Sequence, residues 1–341
     1  MFEKIWWLKD YWHIIGHTKN LNKKNNFKIK LYGVPLFVYR WNDDKVYTVL
    51  DVCPHMKAPL KCVWEGKKII QCTYHGWQFS DTWDIINIPS SPHLTCKMKA
   101  QLFHIQTVEE DGIIYILLNN NSSNTLVTDS FEWTWRSFFT NKIFKTNTDL
   151  LIENFMDATH TPIVHNKLIR DDDIKTRHSI EVEDTTHWIL VKFSESRENI
   201  GGFLSKLFYK KLQISHTDEF LLPNIVRVKY YINSVHRFQA DIACNQMSDW
   251  KTEAVVRVKY NFWFLNFLLS FIVPFMAKRV LIQDYEITRD QYINRKIFSN
   301  IYDTPIDYDY IHKRVQQMRK DVTDWKNMEV KKGIRNITVS V

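Results

Sequence analysis

Glycine is scarce in this sequence: 8 of its 341 residues are glycine, against roughly 24 expected at a usage of about 7%. No two of these glycines are separated by a single residue. The G-x-G-x-x-G fingerprint and the phosphate loop are therefore both excluded, because each needs glycine where the backbone approaches phosphate. We do not expect a nicotinamide or flavin site of the common type in this chain.

Cysteine is also sparse. The chain has 5 cysteines, an odd number that does not indicate the disulfide framework of a secreted domain. The N-terminal segment carries Glu3 and lacks the apolar core of a signal peptide. These two observations favour a reducing, cytoplasmic compartment.

Long apolar runs are absent except for residues 260–276, YNFWFLNFLLSFIVPFM. A membrane-spanning helix needs about 20 predominantly apolar residues, and this run is shorter and contains Pro274. We interpret it as a buried helix or the wall of a pocket. The alternative is an interfacial segment that touches a membrane.

Acidic residues are outnumbered: there are 46 Lys and Arg against 38 Asp and Glu, a net charge of +8. The excess is spread along the chain, with denser patches at 19–30 and 312–335 and no nucleic-acid-binding motif. An anionic membrane surface or an acidic protein partner fits this charge. We do not expect nucleic acid as a partner.

The order of segments predicts two domains. Short β-branched and aromatic segments separated by turn residues fill the first third and predict strands at 28–32, 35–41, 45–50, 101–107 and 112–118. The polar run 119–124 then marks a boundary. Beyond it, strands are predicted within 181–195 and 225–240, and helices at 280–298 and 310–326. We therefore predict an α+β protein with an antiparallel β domain at 1–122 and a second domain at 123–341.

The first chemical motif combines Cys53 and His55 with Cys72 and His75. The spacing is C-x-H, then sixteen residues, then C-x-x-H. Each half supplies one thiolate and one imidazole, unlike the usual zinc pattern of paired cysteines followed by paired histidines. A [2Fe-2S] cluster with two thiolates on one iron and two imidazoles on the other needs this donor set. A zinc site or four unrelated residues are the alternatives.

These residues resemble the Rieske cluster motif, and the likeness includes Pro54, Pro59-Leu60 and His75-Gly76-Trp77. The loops at 56–60 and 73–74 lack the extra cysteines of the respiratory type, so the resemblance is to the ferredoxin and oxygenase type. One departure lies at Met56 and Lys57, where family members usually carry a basic residue followed by glycine.

A second motif follows the boundary: Asp157, His160 and His165, with Asn154 upstream and Pro162 between the histidines. On a straight helix the two histidines would not share a face, and Pro162 disfavours a continuous helix there. Asp157, one turn before His160, is placed to accept its other ring N–H. Two histidines and one carboxylate form the ligand set of non-haem ferrous oxygenases. A zinc site and structural histidines are the alternatives.

The third ligand is expected on the helix at 280–298, where Asp284 follows Gln283. Asp284 lies on a stripe with Val280, Ile287 and Gln291, which we expect to face the core. Glu286 and Asp290 are the rival carboxylates.

Together the motifs resemble the Rieske non-haem iron oxygenases, catalytic α subunit, over residues 11–300. The resemblance implies a Rieske domain followed by a helix-grip catalytic domain, with a [2Fe-2S] cluster on Cys53, His55, Cys72 and His75. It implies a mononuclear Fe(II) held by His160, His165 and Asp284, and O2 as co-substrate. It also implies a head-to-tail homotrimer in which Asp157 links His160 to His75 of the neighbouring subunit.

The activity that this resemblance implies is hydroxylation of a small, apolar organic substrate. Demethylation or desaturation within the same family is the alternative, and a non-catalytic electron carrier with a lipid-binding domain is a more remote one. Electrons would come from NAD(P)H only indirectly, through a separate reductase and a ferredoxin. The pocket is expected to be apolar because region 203–276 is rich in Phe and Trp, although such aromatic residues more often belong to the core. Membrane contact through 260–276 is the accompanying hypothesis.

Overall fold

The computed structural model describes residues 9–21, 26–119, 122, 126, 134–166, 168, 177–185, 187–196, 213–301, 303–323 and 333–340. The chain forms two compact units, Met1–Leu126 and Val127–Val341. Most of the polar run 119–124 lies outside the described residues, as does the start of the aromatic-rich region 203–276.

The first unit is built on a six-stranded antiparallel sheet with the order β1-β10-β9-β4-β3-β2. Its buried side is lined by isoleucine, leucine and valine, the residues that pack well on a pleated surface. The strands of this sheet are β1 (Trp12–His17), β2 (Asn26–Leu31), β3 (Val34–Arg40), β4 (Val46–Leu50), β9 (His104–Glu110) and β10 (Ile113–Leu117).

A second, four-stranded sheet completes this unit, in the order β5-β6-β7-β8. Phe37 and Val49 of the first sheet share one buried cluster with Leu60, Ile70 and Phe79 of the second. The same hydrophobic cluster contains Cys53 and Cys72 of the first motif. The two loops that carry this motif are therefore anchored in the core. The strands are β5 (Leu60–Trp64), β6 (Lys68–Cys72), β7 (Gln78–Phe79) and β8 (Ile85–Asn87).

The second unit is an eight-stranded antiparallel sheet with the order β11-β17-β16-β15-β14-β13-β12-β18. The predicted strand segments 181–195 and 225–240 are each a hairpin. The strands are β11 (Arg136–Phe144), β12 (Arg177–Asp184), β13 (Trp188–Ser196), β14 (Ile214–Leu221), β15 (Ile225–Ile232), β16 (Val235–Ser248), β17 (Lys251–Tyr260) and β18 (Gly333–Ser340).

Helices cover this sheet. Helix α1 (Thr148–Met156) packs on β14 to β17 and contacts the two longer helices. The others are α2 (Thr161–Val164), α3 (Asn266–Ile297) and α4 (Tyr310–Thr323). Helix α3 covers the predicted helix 280–298 up to Ile297 but begins earlier. Residues 324–326 of the predicted helix 310–326 lie outside the described residues. The predicted α+β class with antiparallel sheets is confirmed.

The interpretation of 260–276 as a buried helix is wrong for one side of that segment. Leu269, Val273 and Met276 face a cavity as predicted for a pocket wall. Aromatic side chains on the other side are exposed. The described helix Trp263–Ile297 is long and apolar enough to cross a membrane by length and composition. An 18-residue stretch of it has a mean hydropathy of at least 1.2, here 1.7, and only 17% of that stretch is buried.

The predicted core stripe of this helix is also partly wrong. Asp284 is buried, but Ile287 and Gln291 are exposed. In the second half of the helix the buried positions are Leu281, Asp284 and Thr288, because the contact line runs at i, i+3 and i+7.

Candidate active site

The first candidate ligand loop joins β4 to β5 and therefore connects the two sheets of the first unit. Its shape is fixed by hydrogen bonds from Cys53 N to Ala58 O (2.8 Å) and from Lys57 N to Cys53 O (2.9 Å). Asp51 anchors its base by accepting from Leu60 N (2.6 Å) and Lys28 Nζ (3.0 Å). This loop is not a hairpin tip.

The second candidate loop is a hairpin tip between β6 and β7. Cys72 N donates to Trp77 O (2.8 Å), and Thr73 N donates to Pro59 O (3.0 Å), which ties the two loops together. Gly76 allows the turn because its φ is +71°.

The four side chains of the first motif converge at these loops. Cys53 and Cys72 are buried, whereas His55 is exposed and His75 is half-buried. The two imidazole centroids lie 4.9 Å apart, and the His55 ring stacks on Trp77 at 4.6 Å. His75 Nδ1 is buried with no hydrogen-bond partner among the described residues. Burial raises the pKa of the Cys53 thiol to about 11.

Lys57 occupies a backbone conformation that favours glycine. Its φ is +62°, which costs roughly 1–2 kcal/mol for a residue with a side chain. This is the position where the resembling family usually carries glycine. The chain therefore has lysine at a position whose backbone conformation is best suited to glycine.

The second motif brings three potential ligands together in the other unit. The Nε2 atoms of His160 and His165 lie 3.2 Å apart. Oδ1 of Asp284 lies 3.4 Å from the first and 3.1 Å from the second. One candidate ligand atom from each residue lies within 4.8 Å of the others, a spacing that suits one metal ion. Asp284 is only 1% exposed, whereas its rivals Glu286 and Asp290 are exposed.

The helix is interrupted before His160 and not at Pro162, so the interruption lies earlier than predicted. Helix α1 ends at Met156, and Asp157 has the extended values φ −98° and ψ 95°. A short 3-10 turn, Ala158–His160, follows and runs into α2, where Pro162 sits in the first turn. Pro162 therefore starts a helix here instead of interrupting one.

The predicted contact between Asp157 and the His160 ring is not formed. Oδ1 of Asp157 accepts from Thr159 N (2.8 Å) and Thr159 Oγ1 (2.5 Å). His160 Nδ1 is buried without a hydrogen-bond partner among the described residues. The aspartate caps the 3-10 turn instead, because a carboxylate at that position satisfies an otherwise unpaired backbone N–H.

Two amide side chains orient the candidate ligands. Asn154 Nδ2 donates to Asp284 Oδ1 at 3.1 Å. Gln283 Oε1 lies 3.0 Å from His165 Nδ1 and can accept its ring N–H, which leaves Nε2 directed at the other ligands. Sequence reasoning noted both residues but did not predict these contacts.

The charges of the three groups are coupled. Burial alone would raise the pKa of Asp284, but His160 and His165 outweigh it and the net pKa is lowered. Burial alone would lower the pKa of His160, but Asp284 outweighs it and the net pKa is raised. The carboxylate is thus held in its charged, metal-binding form.

The three candidate ligands line a cavity of about 310 Å³ in the second unit. Its walls come from the eight-stranded sheet, from α1 and from α3, and most are apolar, including Phe155, Val228, Phe238 and Leu269. A cavity of this size and lining suits a small, largely apolar molecule.

The cavity also contains a polar pair that the sequence reasoning missed. His216 Nε2 lies 3.8 Å from Asp218 Oδ2, and both residues line the cavity. The His216 ring stacks on Phe193 at 3.8 Å. The signal was the alternation of β14, whose even-numbered residues from 214 to 220 are buried.

Comparison with known proteins identifies similar domains, relatives and folds. The model of the Rieske [2Fe-2S] domain family matches residues 11–102. Chlorophyllide a oxygenase from Oryza sativa subsp. japonica is 21% identical over 92% of this chain. Methylxanthine N3-demethylase NdmB from Pseudomonas putida is 22% identical over 59% of this chain and 60% of its own length. This chain spans 57% and 58% of the length of two chlorophyllide a oxygenases that it matches.

Solved structures show the same fold. Dicamba monooxygenase bound to dicamba superposes with a TM-score of 0.77 at 16% identity, over 93% of this chain and 98% of that chain. These comparisons lead to one conclusion: the chain contains a Rieske [2Fe-2S] domain, and along most of its length it is similar to Rieske non-haem iron oxygenases.

Proposed function

We propose that this chain is the oxygenase component of a Rieske system, which uses O2 to hydroxylate a small, apolar organic substrate. One observation carries the proposal: His160, His165 and Asp284 converge on an apolar cavity. Two imidazoles and one carboxylate hold ferrous iron and leave positions open for other molecules.

The first unit fits a [2Fe-2S] cluster. It offers two buried thiols and two imidazoles near its surface, and His75 Nδ1 is buried without a partner among the described residues. An orphaned ring nitrogen is costly unless a ligand satisfies it. We assign Cys53, Cys72, His55 and His75 as the cluster ligands.

When bound, the cluster would supply single electrons and the iron would supply O2 activation. The chain's own residues prepare the site. Gln283 holds the His165 tautomer through its contact with Nδ1, and Asn154 orients the Asp284 carboxylate. The apolar walls exclude bulk water and position the substrate beside the ligand atoms.

The reaction type rests on cavity shape. Hydroxylation is the main proposal. Oxidative demethylation is the second, since one relative is a methylxanthine N3-demethylase; desaturation is chemically accessible to the same ligand set. The His216–Asp218 pair would receive the polar group of a substrate that is otherwise apolar.

The electron source is proposed to be a separate reductase with a ferredoxin, drawing on NAD(P)H. This follows from the glycine pattern, which lacks the common nucleotide fingerprints. We further propose a homotrimer in which Asp157 links His160 to the neighbouring subunit's cluster. In support, Asp157 lines the cavity beside His160. In the single chain its Oδ1 accepts from Thr159, so the link requires the carboxylate to turn toward the His160 ring on assembly. Cytoplasmic location stays a prediction.

The test is turnover of a metabolite extract with reductase and labelled dioxygen, read by mass spectrometry. His160→Ala is expected to abolish labelled products while the visible spectrum of the cluster stays intact. His187→Ala is the matched control, because His187 is exposed in the same unit, and its activity is expected to be retained.

The remote alternative, a non-catalytic electron carrier, predicts the opposite result. If His160→Ala left function unchanged, the oxygenase proposal would be wrong. A colourless protein with zinc and without acid-labile sulfide would refute the cluster assignment.

A further inference from the structure

The first half of α3, with the turn before it, exposes an unusual amount of aromatic surface. Five side chains there are between 68% and 84% exposed. They are Trp263, Phe264, Phe267, Phe271 and Phe275; we call them the aromatic face. Two of them already contact each other, with ring centroids 5.6 Å apart. Contiguous aromatic exposure of this kind marks an interaction surface.

Basic residues border the aromatic face. Lys278 and Arg279 are exposed one turn further along α3, and Arg136 is exposed on the adjoining strand β11. No acidic residue occurs between Glu253 and Asp284 in the sequence. The surface therefore combines tryptophan and phenylalanine with positive charge and no opposing charge from its own segment.

We propose that the aromatic face docks this protein onto the surface of a membrane containing anionic lipids. Phenylalanine and tryptophan would enter the boundary between headgroups and acyl chains, and Lys278 and Arg279 would contact the lipid phosphates. A second copy of the chain fits less well, because pairing this face with itself would leave the flanking cations without an acidic partner.

The helix lies on the membrane and does not cross it. Its opposite side lines the cavity through Leu269, Val273 and Met276, so protein already covers that side. The exposed stretch from residue 263 to 275 spans about 20 Å as a helix, shorter than the roughly 30 Å hydrocarbon core.

The test is flotation of the full-length, cluster-loaded protein with vesicles of phosphatidylcholine alone or mixed with phosphatidylglycerol. Wild-type protein is expected to float with the mixed vesicles. The triple variant Phe267→Ser/Phe271→Ser/Phe275→Ser is expected to bind at least about tenfold more weakly. The double variant Lys278→Gln/Arg279→Gln is expected to bind the mixed vesicles about tenfold or more weakly than wild type. Its binding to vesicles of phosphatidylcholine alone is expected to be unchanged.

The matched control replaces exposed aromatic residues elsewhere, as Trp64→Ser/Trp250→Ser/Phe298→Ser, and is expected to bind like wild type. Circular dichroism and the cluster spectrum report that each variant is folded. Wild-type protein that ignores both vesicles, or a triple variant that binds equally well, would overturn the proposal. Light scattering covers the rival: a lipid-free dimer or trimer abolished by the triple variant would make the face a protein interface and would overturn the proposal. None of these readouts requires turnover, so failure of the proposed oxygenase reaction would be seen separately.

Discussion

Lys57 shows how one residue can strain the backbone of a loop that is otherwise stabilised by hydrogen bonds. Its left-handed backbone is held by the bond from its N–H to Cys53 O, next to a proposed cluster ligand. Glycine reaches the same conformation without a Cβ clash. The strain belongs to the residue and not to the loop, so it can be removed without changing any contact.

We therefore predict that Lys57→Gly stabilises the loop. The left-handed penalty is about 1–2 kcal/mol, partly offset by the greater entropy of glycine in the unfolded chain. The amide of Cys53, which bonds to Ala58 O, is expected to exchange with solvent about fivefold more slowly. Lys61→Gly, in strand β5, is the control and is expected to speed exchange; slower exchange in both variants would contradict the strain argument.

Gln283 is the residue through which α3 reaches His165. Removing its acceptor in Gln283→Ala frees the imidazole to rotate or change tautomer. Loss of such an orienting partner lowers metal affinity by roughly 10–100-fold. Fe(II) titration under anaerobic conditions measures this, with Gln291→Ala, exposed on the same helix, as the control that should match wild type.

Residues close in sequence were the ones that the sequence could predict. The Cys53–His55 and Cys72–His75 spacings, and the pair His160 and His165, are short-range patterns whose chemistry is visible in the letters. Asp284 needed a choice among three carboxylates, which only burial on the folded helix separates. The role of Asp157 as a cap was not predictable, because Asp157 can satisfy either a ring N–H or a backbone N–H.

At the scale of elements, the central strands of the second sheet are joined by a buried charge network. Asp241 on β16 accepts from Arg227 on β15 (2.6 Å) and from Arg257 on β17 (2.6 Å to Nη2). The carboxylate thus connects three strands that form part of the cavity wall. Removing it would leave two guanidinium groups around an uncharged side chain.

We predict that Asp241→Asn destabilises the second unit by about 3–5 kcal/mol, the usual cost of breaking a buried ion pair from one side. Chemical denaturation monitored by fluorescence measures the loss. Asp290→Asn is the control, because that carboxylate pairs with Arg289 at the surface, and its denaturation midpoint should hardly move. Equal midpoints for Asp241→Asn and wild type would refute the network's contribution.

The stability that this charge network contributes should depend on pH. Burial alone would raise the pKa of Asp241, but Arg227 and Arg257 outweigh it and the net pKa is lowered. A lowered folded pKa gives stability that is complete above the unfolded value of about 3.9 and is lost as pH falls further. The stability difference between wild type and Asp241→Asn is therefore expected to be constant from pH 7 to 5 and to shrink below pH 4.

Helices and strands were predicted best where the hydrophobic periodicity and the flanking turn residues indicated the same boundaries. The short strands of the first unit and the helix at 310–323 followed their patterns. Segment 260–276 did not, since a helix that is apolar on both sides reads the same whether its outer side meets protein, lipid or water. The alternation that places His216 in the cavity was present in the sequence of β14. The sequence alone does not show, however, that the buried side of this strand lines a cavity.

The whole molecule carries a net charge of +8. A basic surface would attract an acidic ferredoxin and raise its association rate. We predict that ferredoxin-driven turnover falls steeply as ionic strength rises past 0.15 M, where the screening length is about 8 Å. Turnover with an uncharged chemical reductant is the control and should change little; equal salt responses would count against electrostatic steering.

Metal binding should stabilise the second unit as a whole. The proposed ligands His160 and Asp284 are separated by more than a hundred residues, so an ion between them closes a long loop of chain. At Fe(II) concentrations 100–1,000 times the dissociation constant, the stability gain is about 3–4 kcal/mol. Thermal unfolding with iron or with chelator measures it, and Asp284→Asn should lose the shift.

The two proposed ligand sets differ in hardness, and they would therefore differ in how well they select a metal. Two thiolates favour iron–sulfur chemistry, whereas two imidazoles and a carboxylate also accept zinc, cobalt and nickel, several of them more tightly than Fe(II). Affinity alone does not select iron at His160, His165 and Asp284. The metal bound by the second unit is therefore expected to depend on which metals are available in the cell that makes the protein. Protein from cells grown with excess zinc is expected to carry a complete [2Fe-2S] cluster in the first unit and an inactive metal site in the second.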